Sequence, residues 1–145
     1  MLDYFRFRWE DVWYSYDCGY GGYEAILEIS STGKCIDWIV DRAHFIMDLS
    51  GREKEFLNLL SECNVNEWNG NRYVNYNFMD GVLWDLTLGY SKSINIEAEG
   101  SNAFPDTFEI FMKKLHSEWN LPYSKMDSPS FSFWEHRRDA KVEKI

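Results

Sequence analysis

Residues 82–90 read Val-Leu-Trp-Asp-Leu-Thr-Leu-Gly-Tyr, and the alternation in this stretch decides the fold class. Apolar or aromatic residues occupy every even position from Val82 to Tyr90, whereas the odd positions include Asp85 and Thr87. Side chains alternate between the two faces of an extended chain, so the pattern predicts a β-strand with one buried face. The other face meets water, which is typical of antiparallel sheets.

Neighbouring segments extend the same sheet. Residues 93–99 alternate in the same way, with Glu97 and Glu99 on the wet face, and predict a hairpin with the first strand. Residues 31–34 read Ser-Thr-Gly-Lys, a turn sequence whose glycine accepts a positive φ, so they predict a second hairpin. The further predicted strands cover residues 3–9, 24–30, 35–41 and 44–48.

Two amphipathic helices complete the predicted core. The first follows Ser50-Gly51-Arg52-Glu53, which fits a capping box, and it runs to about Cys63. The second opens near Pro105, a residue favoured in the first turn of a helix. A last helix is predicted from Ser132 to about residue 143, with a frayed, charged end.

These elements define an α+β fold. We expect one antiparallel sheet of about five to six strands, two main helices packed on one face, and a C-terminal helical appendage. The length of 145 residues suits a single domain. We place its core in residues 1–121 and the loop and helix of the appendage in residues 122–145.

The charge of the chain excludes some classes of partner. The formal net charge is −9, and the acidic excess lies within residues 1–100. Such a surface disfavours nucleic acids and anionic membranes, because both require an excess of Lys and Arg. It favours a basic protein partner, although an acidic surface also serves solubility alone.

The cysteines and the apolar runs indicate a compartment. Cys18, Cys35 and Cys63 are odd in number and widely spaced, which predicts neither a disulfide framework nor a zinc site. The first residues lack the layout of a signal peptide, and no apolar run reaches the length of a membrane span. We therefore expect a cytoplasmic protein with no metal and no cofactor.

The segment 9–23 is the strongest candidate for a binding surface, since it mixes Trp and Tyr with acids and glycines. Trp and Tyr are enriched at binding hot spots, and Gly and Ser let a loop adapt to a partner. The same rings equally suit packing of a loop onto its own sheet. The predicted partner-binding residues are Glu10, Asp11, Trp13, Tyr14, Tyr16, Asp17, Tyr20 and Tyr23, with Trp68 and Tyr73 as an extension.

Two candidates for catalysis are weaker, and we expect no enzyme. His44 lies near Asp41 and Asp48 in sequence, and an aspartate can orient a histidine base, but no nucleophile signature accompanies it. Cys18 precedes a glycine-rich stretch, but its acidic neighbours raise the pKa of a thiol rather than lower it. A surface or structural role is the more common one for both residues.

Two motifs in the second half resemble a group of small bacterial proteins without assigned activity. The first is Asp80-Gly81-Val82-Leu83-Trp84-Asp85-Leu86, and the second is Gly100-Ser101-Asn102-Ala103-Phe104-Pro105. They are similar to a DGxxWxL strand followed by a GxNx[YF]Pxx[FW] helix start, whose last position is Phe108 here. The resemblance implies a shared α+β scaffold and no catalytic residues. By analogy, it also suggests immunity proteins or phage-type inhibitors, which are small and acidic.

The sequence thus leads to three hypotheses about function. The first is a non-catalytic acidic protein that neutralises a basic partner, such as a toxin or a nucleic-acid-handling effector. The second is a small-molecule or nucleotide-sequestering protein, which for a phosphorylated ligand requires convergence of Arg6, Arg8, Arg42 or Arg72. The third is a small enzyme that uses His44 with nearby carboxylates. The oligomeric state is left open.

Overall fold

A computed structural model shows how these segments assemble. It describes residues 1–11, 22–30, 33–40, 43–78, 81–119, 136 and 138–145. The strands are β1 (Leu2–Asp11), β2 (Gly22–Ser30), β3 (Gly33–Val40), β4 (Ala43–Asp48), β5 (Asn71–Val74), β6 (Val82–Tyr90), β7 (Ile94–Ser101) and β8 (Lys141–Lys144). The helices are α1 (Glu53–Glu62), a short 3₁₀ helix (Val65–Trp68) and α2 (Phe108–Glu118).

All eight described strands belong to one sheet, in the order β4-β3-β2-β1-β6-β7-β5-β8. Every neighbouring pair is antiparallel except β5 and β7, which run parallel. The α+β class is therefore confirmed. The prediction of a purely antiparallel sheet with five to six strands is wrong, because β5 and β8 were not expected as strands.

One face of the sheet carries the core, and both helices pack on it. On β1 the side chains of Phe5, Phe7 and Trp9 are buried there: Phe5 contacts Phe56 of α1 edge to face, and Phe7 contacts Phe111 of α2 in the same geometry. The alternation of β6 is confirmed, since Trp84 and its even-numbered neighbours are buried. The helices therefore cover one face of the sheet. The opposite face, here called the open face, carries the charged residues of the strands.

The cap of α1 differs from the predicted capping box. Its N-cap is Arg52, and no side chain caps the helix. The Glu53 carboxylate instead accepts hydrogen bonds from the backbone N–H of Leu2 at 2.6 Å and from the Lys34 ammonium group at 2.8 Å. Glu53 therefore ties α1 to the ends of β1 and β3, which is a tertiary role rather than a local one.

The C-terminal end also differs from the prediction. Residues Lys141–Lys144 form β8, which pairs antiparallel with β5, and the Ile145 N–H donates to the Gly70 carbonyl. Buried Asn75 holds the approach to β8, since its amide donates to the carbonyl oxygens of His136 and Arg138. Within the described residues the charged tail is thus an edge strand and not the frayed end of a helix. The appendage's aromatic start, residues 131–134, lies outside the described residues.

The two resemblance motifs meet in the structure at Trp84. Its indole N–H donates to the Ala103 carbonyl at 2.8 Å, and an added β-carbon at Gly100 would meet both groups. Asn102 closes the end of the same hairpin, because its side-chain oxygen accepts from the Val82 N–H at 2.8 Å while its own N–H donates to the Val82 carbonyl. The motif residues therefore act as scaffold here.

Candidate functional site

The predicted binding segment joins two hairpin-paired strands. Glu10 of β1 lies opposite Gly22 of β2, so residues 12–21 connect the ends of these strands. Trp13, Tyr14, Tyr16, Asp17 and Tyr20 lie outside the described residues. For Asp11 and Tyr23 the structure describes only the backbone, which places them at the end of β1 and the start of β2.

Glu10 connects this segment to the open face of the sheet. Its side chain is exposed and shares that face with the even-numbered residues of β1. Across the ladder it lies opposite Leu83 of β6, whose side chain is 48% exposed. Tyr4, further back on β1, is 47% exposed on the same face. Carboxylate, aliphatic and aromatic groups are therefore all available on the open face.

A row of charged residues crosses the open face from β1 to β8. Arg8 forms a salt bridge with Asp85, with 2.7 Å between nitrogen and oxygen. The cross-strand register continues from Asp85 to Glu99, then to Arg72, and ends at Glu143. Three of these five positions are acidic. The row shows that strand pairing alone brings charges from five segments into one line.

Two carboxylates on β7, Glu99 in this row and Glu97 two residues before it, have no ion-pair partner among the described residues. Glu97 is exposed and Glu99 is partly exposed, and they are two residues apart, so both face the open side. The six described salt bridges include neither residue. These acids repel each other weakly and attract any cationic group that approaches the face.

Arg8 and Arg72 do not converge on a phosphate-sized site. Arg8 on β1 and Arg72 on β5 are separated by β6 and β7. Three strand spacings amount to roughly 14 Å. Arg42 lies outside the described residues, and Arg6 shares β1 with Arg8. The condition that a phosphorylated ligand requires is therefore not met by Arg8 with Arg72.

The structure corrects the proposed extension of the binding surface. Trp68 is only 2% exposed and contacts Trp84 and Phe111, so its ring belongs to the core. Tyr73 is partly buried and stacks on Trp84 with 6.0 Å between ring centroids. Burial raises the pKa of the Tyr73 hydroxyl, although the Asn71 amide donates to that oxygen. Neither ring lies on the open face.

The carboxylate partner of His44 is Asp37 and not Asp41 or Asp48, the two aspartates considered from the sequence. The Nδ1 atom of His44 lies 2.8 Å from Oδ2 of Asp37, which is diagonal to it on the adjacent strand β3. A carboxylate only accepts, so this contact places a proton on Nδ1, and in the neutral imidazole Nε2 is then the acceptor. The Asp37 side chain is 8% exposed, and its other oxygen, Oδ1, has no hydrogen-bond partner among the residues that the structure describes.

The register of the β3–β4 hairpin is the feature from which the Asp37–His44 pair could have been predicted. In the structure a two-residue connection between Val40 and Ala43 sets Ile39 opposite His44, and Asp37 then falls on the diagonal. The predicted strand bounds, 35–41 and 44–48, would instead have set Asp41 opposite His44. Asp41 lies outside the described residues. Asp48 pairs with Cys35 at the far end of β4 and not with His44.

Other site chemistry is limited in the described part of the chain. No group of three or more His, Cys, Asp or Glu side chains is placed to hold a metal ion there. Burial raises the pKa of the Cys63 thiol, which disfavours the reactive thiolate. None of the described helices is both long enough and apolar enough to cross a bilayer.

Comparison of the chain with family models, with curated proteins and with solved structures finds no match in any of the three.

Proposed function

We propose that this chain is a non-catalytic binding protein that neutralises a basic protein partner in the cytoplasm, in the manner of an immunity protein or a phage-type inhibitor. The observation that supports this most directly is the pair of carboxylates on the open face of the sheet, Glu97 and Glu99, which form no ion pair among the described residues. The open face also receives Glu10, at the start of the aromatic and acidic segment 10–23.

The physical argument is one of complementarity. Acidic groups that lack an ion-pair partner among the described residues steer a cationic protein toward the face and fix its register. Exposed Leu83 and Tyr4 supply apolar and aromatic contact area beside the acids. Segment 10–23 would add the aromatic anchors from which most binding energy arises. Together these features favour a toxin or a nucleic-acid-handling effector as the partner, since such proteins present basic surfaces.

The test is a comparison of two double variants with the same change in net charge. Glu97→Gln with Glu99→Gln removes two negative charges from the open face. Glu55→Gln with Glu118→Gln removes two negative charges from exposed positions on the helices. A stoichiometric partner captured from host lysate at low salt is identified by mass spectrometry and purified. Its association rate with each variant is then measured by surface plasmon resonance as a function of ionic strength.

We expect the open-face variant to associate at least about fivefold more slowly at low salt, with a flatter salt dependence, and the helix variant to match the parent chain. We also expect Trp13→Ala or Tyr16→Ala to weaken binding by about 2 kcal/mol or more. Equal rates for the two double variants, or capture of no basic protein, would overturn the proposal.

A second candidate function is a small enzyme that uses His44 as a general base. The Asp37–His44 hydrogen bond favours it, because an oriented imidazole with Nε2 as an acceptor is the arrangement that a histidine base requires. Stoichiometry separates the two functions. A binding protein neutralises its partner only at about equimolar amounts, whereas an enzyme does so at far lower amounts. Substoichiometric neutralisation that is lost in His44→Ala would establish the enzyme.

A further inference from the structure

The two edges of the sheet differ in how they are protected. β8 forms one edge and carries Lys141 and Lys144 in its four residues, and charged residues of this kind discourage strand addition. β4 forms the other edge, and its six residues, Ala43–Asp48, include neither lysine nor proline. Its register with β3 is continuous, so no bulge interrupts it. The edge formed by β4 therefore lacks the usual safeguards against pairing with another strand.

The side chains of β4 are apolar and accessible. Phe45 is 46% exposed and Ile46 is 64% exposed, and they point to opposite faces of the sheet. Among the described residues β3 is the one strand that pairs with β4, and no described strand pairs with the backbone groups on the outer edge of β4. Both features are typical of a strand that pairs with another chain.

Backbone geometry determines which residues offer those groups. The Leu49 N–H donates to the Lys34 carbonyl at 2.9 Å, so these two residues form a hydrogen-bonded pair of the β3–β4 ladder. Hydrogen-bonded pairs recur at every second position of an antiparallel ladder. The N–H and C=O groups of His44, Ile46 and Asp48 therefore point outward, away from β3.

The sequence of β4 is complementary to itself in one antiparallel register. With Ile46 opposite Ile46 of a second copy, the outward backbone groups of the two strands meet. In this register each His44 lies opposite an Asp48 of the other copy, and the imidazolium form of His44, which carries a proton on each ring nitrogen, donates to Asp37 and to that carboxylate. A hydrogen bond from the Ser50 backbone N–H lowers the pKa of Asp48 and favours its charged form. On the other face, each Phe45 lies opposite a Met47, a favourable ring–sulfur pairing.

A neighbouring symmetric register matches less well. Centred on Phe45, it also brings outward backbone groups together, but it sets His44 opposite Ile46 and leaves Asp48 without an imidazole. We propose that β4 is a homodimerisation strand and that two copies of this chain join edge to edge in the Ile46-centred register. The dimer continues both sheets into one and leaves both open faces accessible on the same side.

Analytical ultracentrifugation over a range of concentrations tests the proposal. We expect the parent chain to dimerise reversibly and Ile46→Lys to raise the dimer dissociation constant at least about tenfold, since it places two lysines against each other. Ile110→Lys is the matched control, because Ile110 is 53% exposed on α2, and it should dimerise like the parent. Circular dichroism confirms that each variant is folded. A parent chain that stays monomeric at all concentrations would overturn the proposal.

Cysteine cross-linking tests the register. Directly opposed residues of a hydrogen-bonded antiparallel pair lie about 5.5 Å apart at Cα, which suits a disulfide. Under mild oxidation Ile46→Cys should give a covalent dimer on non-reducing gels, whereas the parent chain and Phe45→Cys should not. Cross-linking of Phe45→Cys in place of Ile46→Cys would overturn the proposed register.

Discussion

At the scale of single residues, Gly100 shows how one absent side chain organises a hairpin and the start of a helix. The space beside its α-carbon is occupied by the indole nitrogen of Trp84 and the carbonyl oxygen of Ala103, which are hydrogen bonded to each other. A methyl group there displaces one of the two. The glycine of the second motif therefore serves close packing and not a turn.

We predict that Gly100→Ala lowers the free energy of unfolding by about 2–4 kcal/mol, from overpacking and loss of the buried hydrogen bond. Gly70→Ala is the matched control, since Gly70 has a positive φ of 77° but no atom within 4 Å of an added β-carbon. It should lose only about 1–2 kcal/mol, from backbone strain. Urea unfolding measures both, and a larger loss in the Gly70 variant would contradict this account.

Glu53 makes stability depend on pH in acid. Partial burial raises the pKa of its carboxyl, but hydrogen bonds from Lys34 and the Leu2 N–H outweigh burial and hold the pKa below its ordinary value of 4.5. A group with a depressed folded pKa stabilises the fold above its unfolded pKa, and this contribution is lost as the pH falls through the folded pKa.

We predict that Glu53→Gln is less stable than the parent chain at pH 7, by about 1 kcal/mol or less because the group is partly exposed to solvent. The difference in free energy of unfolding between the variant and the parent chain should disappear as the pH falls below about 4.5. Urea unfolding at pH 7, 5 and 3 measures it. Glu55→Gln is the control, since its contact with Arg52 is exposed, and it should show no such gap. A gap that persists at pH 3 would argue against an ionised Glu53.

At the scale of secondary-structure elements, the edge strand β8 is the largest departure from expectation. Its four residues, Lys-Val-Glu-Lys, include one apolar side chain and give no period to detect. β5 is equally short and reads Asn-Arg-Tyr-Val. By contrast, β6 was predicted residue for residue because nine alternating positions leave little ambiguity. Strand length and alternation determined which strands could be predicted.

The residues of the candidate site could likewise be predicted from the sequence only where strand alternation assigns them to a face. The wet-face positions of Glu97 and Glu99 could be predicted because alternation alone assigns them. The burial of Trp68 could not, since a short 3₁₀ helix in a polar stretch carries no amphipathic period, and its ring enters the core through contacts with distant residues. The role of Glu53 was misassigned because the capping-box pattern is local, whereas its partners are distant in sequence.

We predict that removal of residues 141–145 destabilises the fold by about 1–3 kcal/mol, since the truncated chain loses the ladder between β8 and β5. Hydrogen–deuterium exchange should then speed up at Asn71–Val74 and stay unchanged at Val82–Tyr90 in the sheet interior. Lys144→Ser keeps the strand while removing a side-chain contact to Asn71, so it should leave exchange in β5 nearly unchanged. Unaltered exchange in the truncated chain would show that β8 contributes no stability.

At the scale of the whole molecule, charge and sheet geometry act together. The net charge of −9 opposes compactness through self-repulsion, so each unpaired acid carries a small cost. Glu97 lies opposite Thr87 rather than a basic residue, and none of the described ion pairs includes it. Residues retained for binding commonly cost stability. The proposed binding role of Glu97 therefore also predicts that removal of its charge stabilises the free chain.

We predict that Glu97→Gln raises the melting temperature by roughly 1–2 °C at low salt, because relief of repulsion at an exposed site is worth about 0.5 kcal/mol or less. The gain should shrink in 0.5 M NaCl, where screening weakens interactions between exposed charges. Glu118→Gln removes the same charge but also an attraction to Lys114, so it should not stabilise. Calorimetry at both salt concentrations measures the difference. A Glu97→Gln variant that is less stable than the parent chain would show that this carboxylate stabilises the fold. The main support for the open face as a binding surface would then be removed.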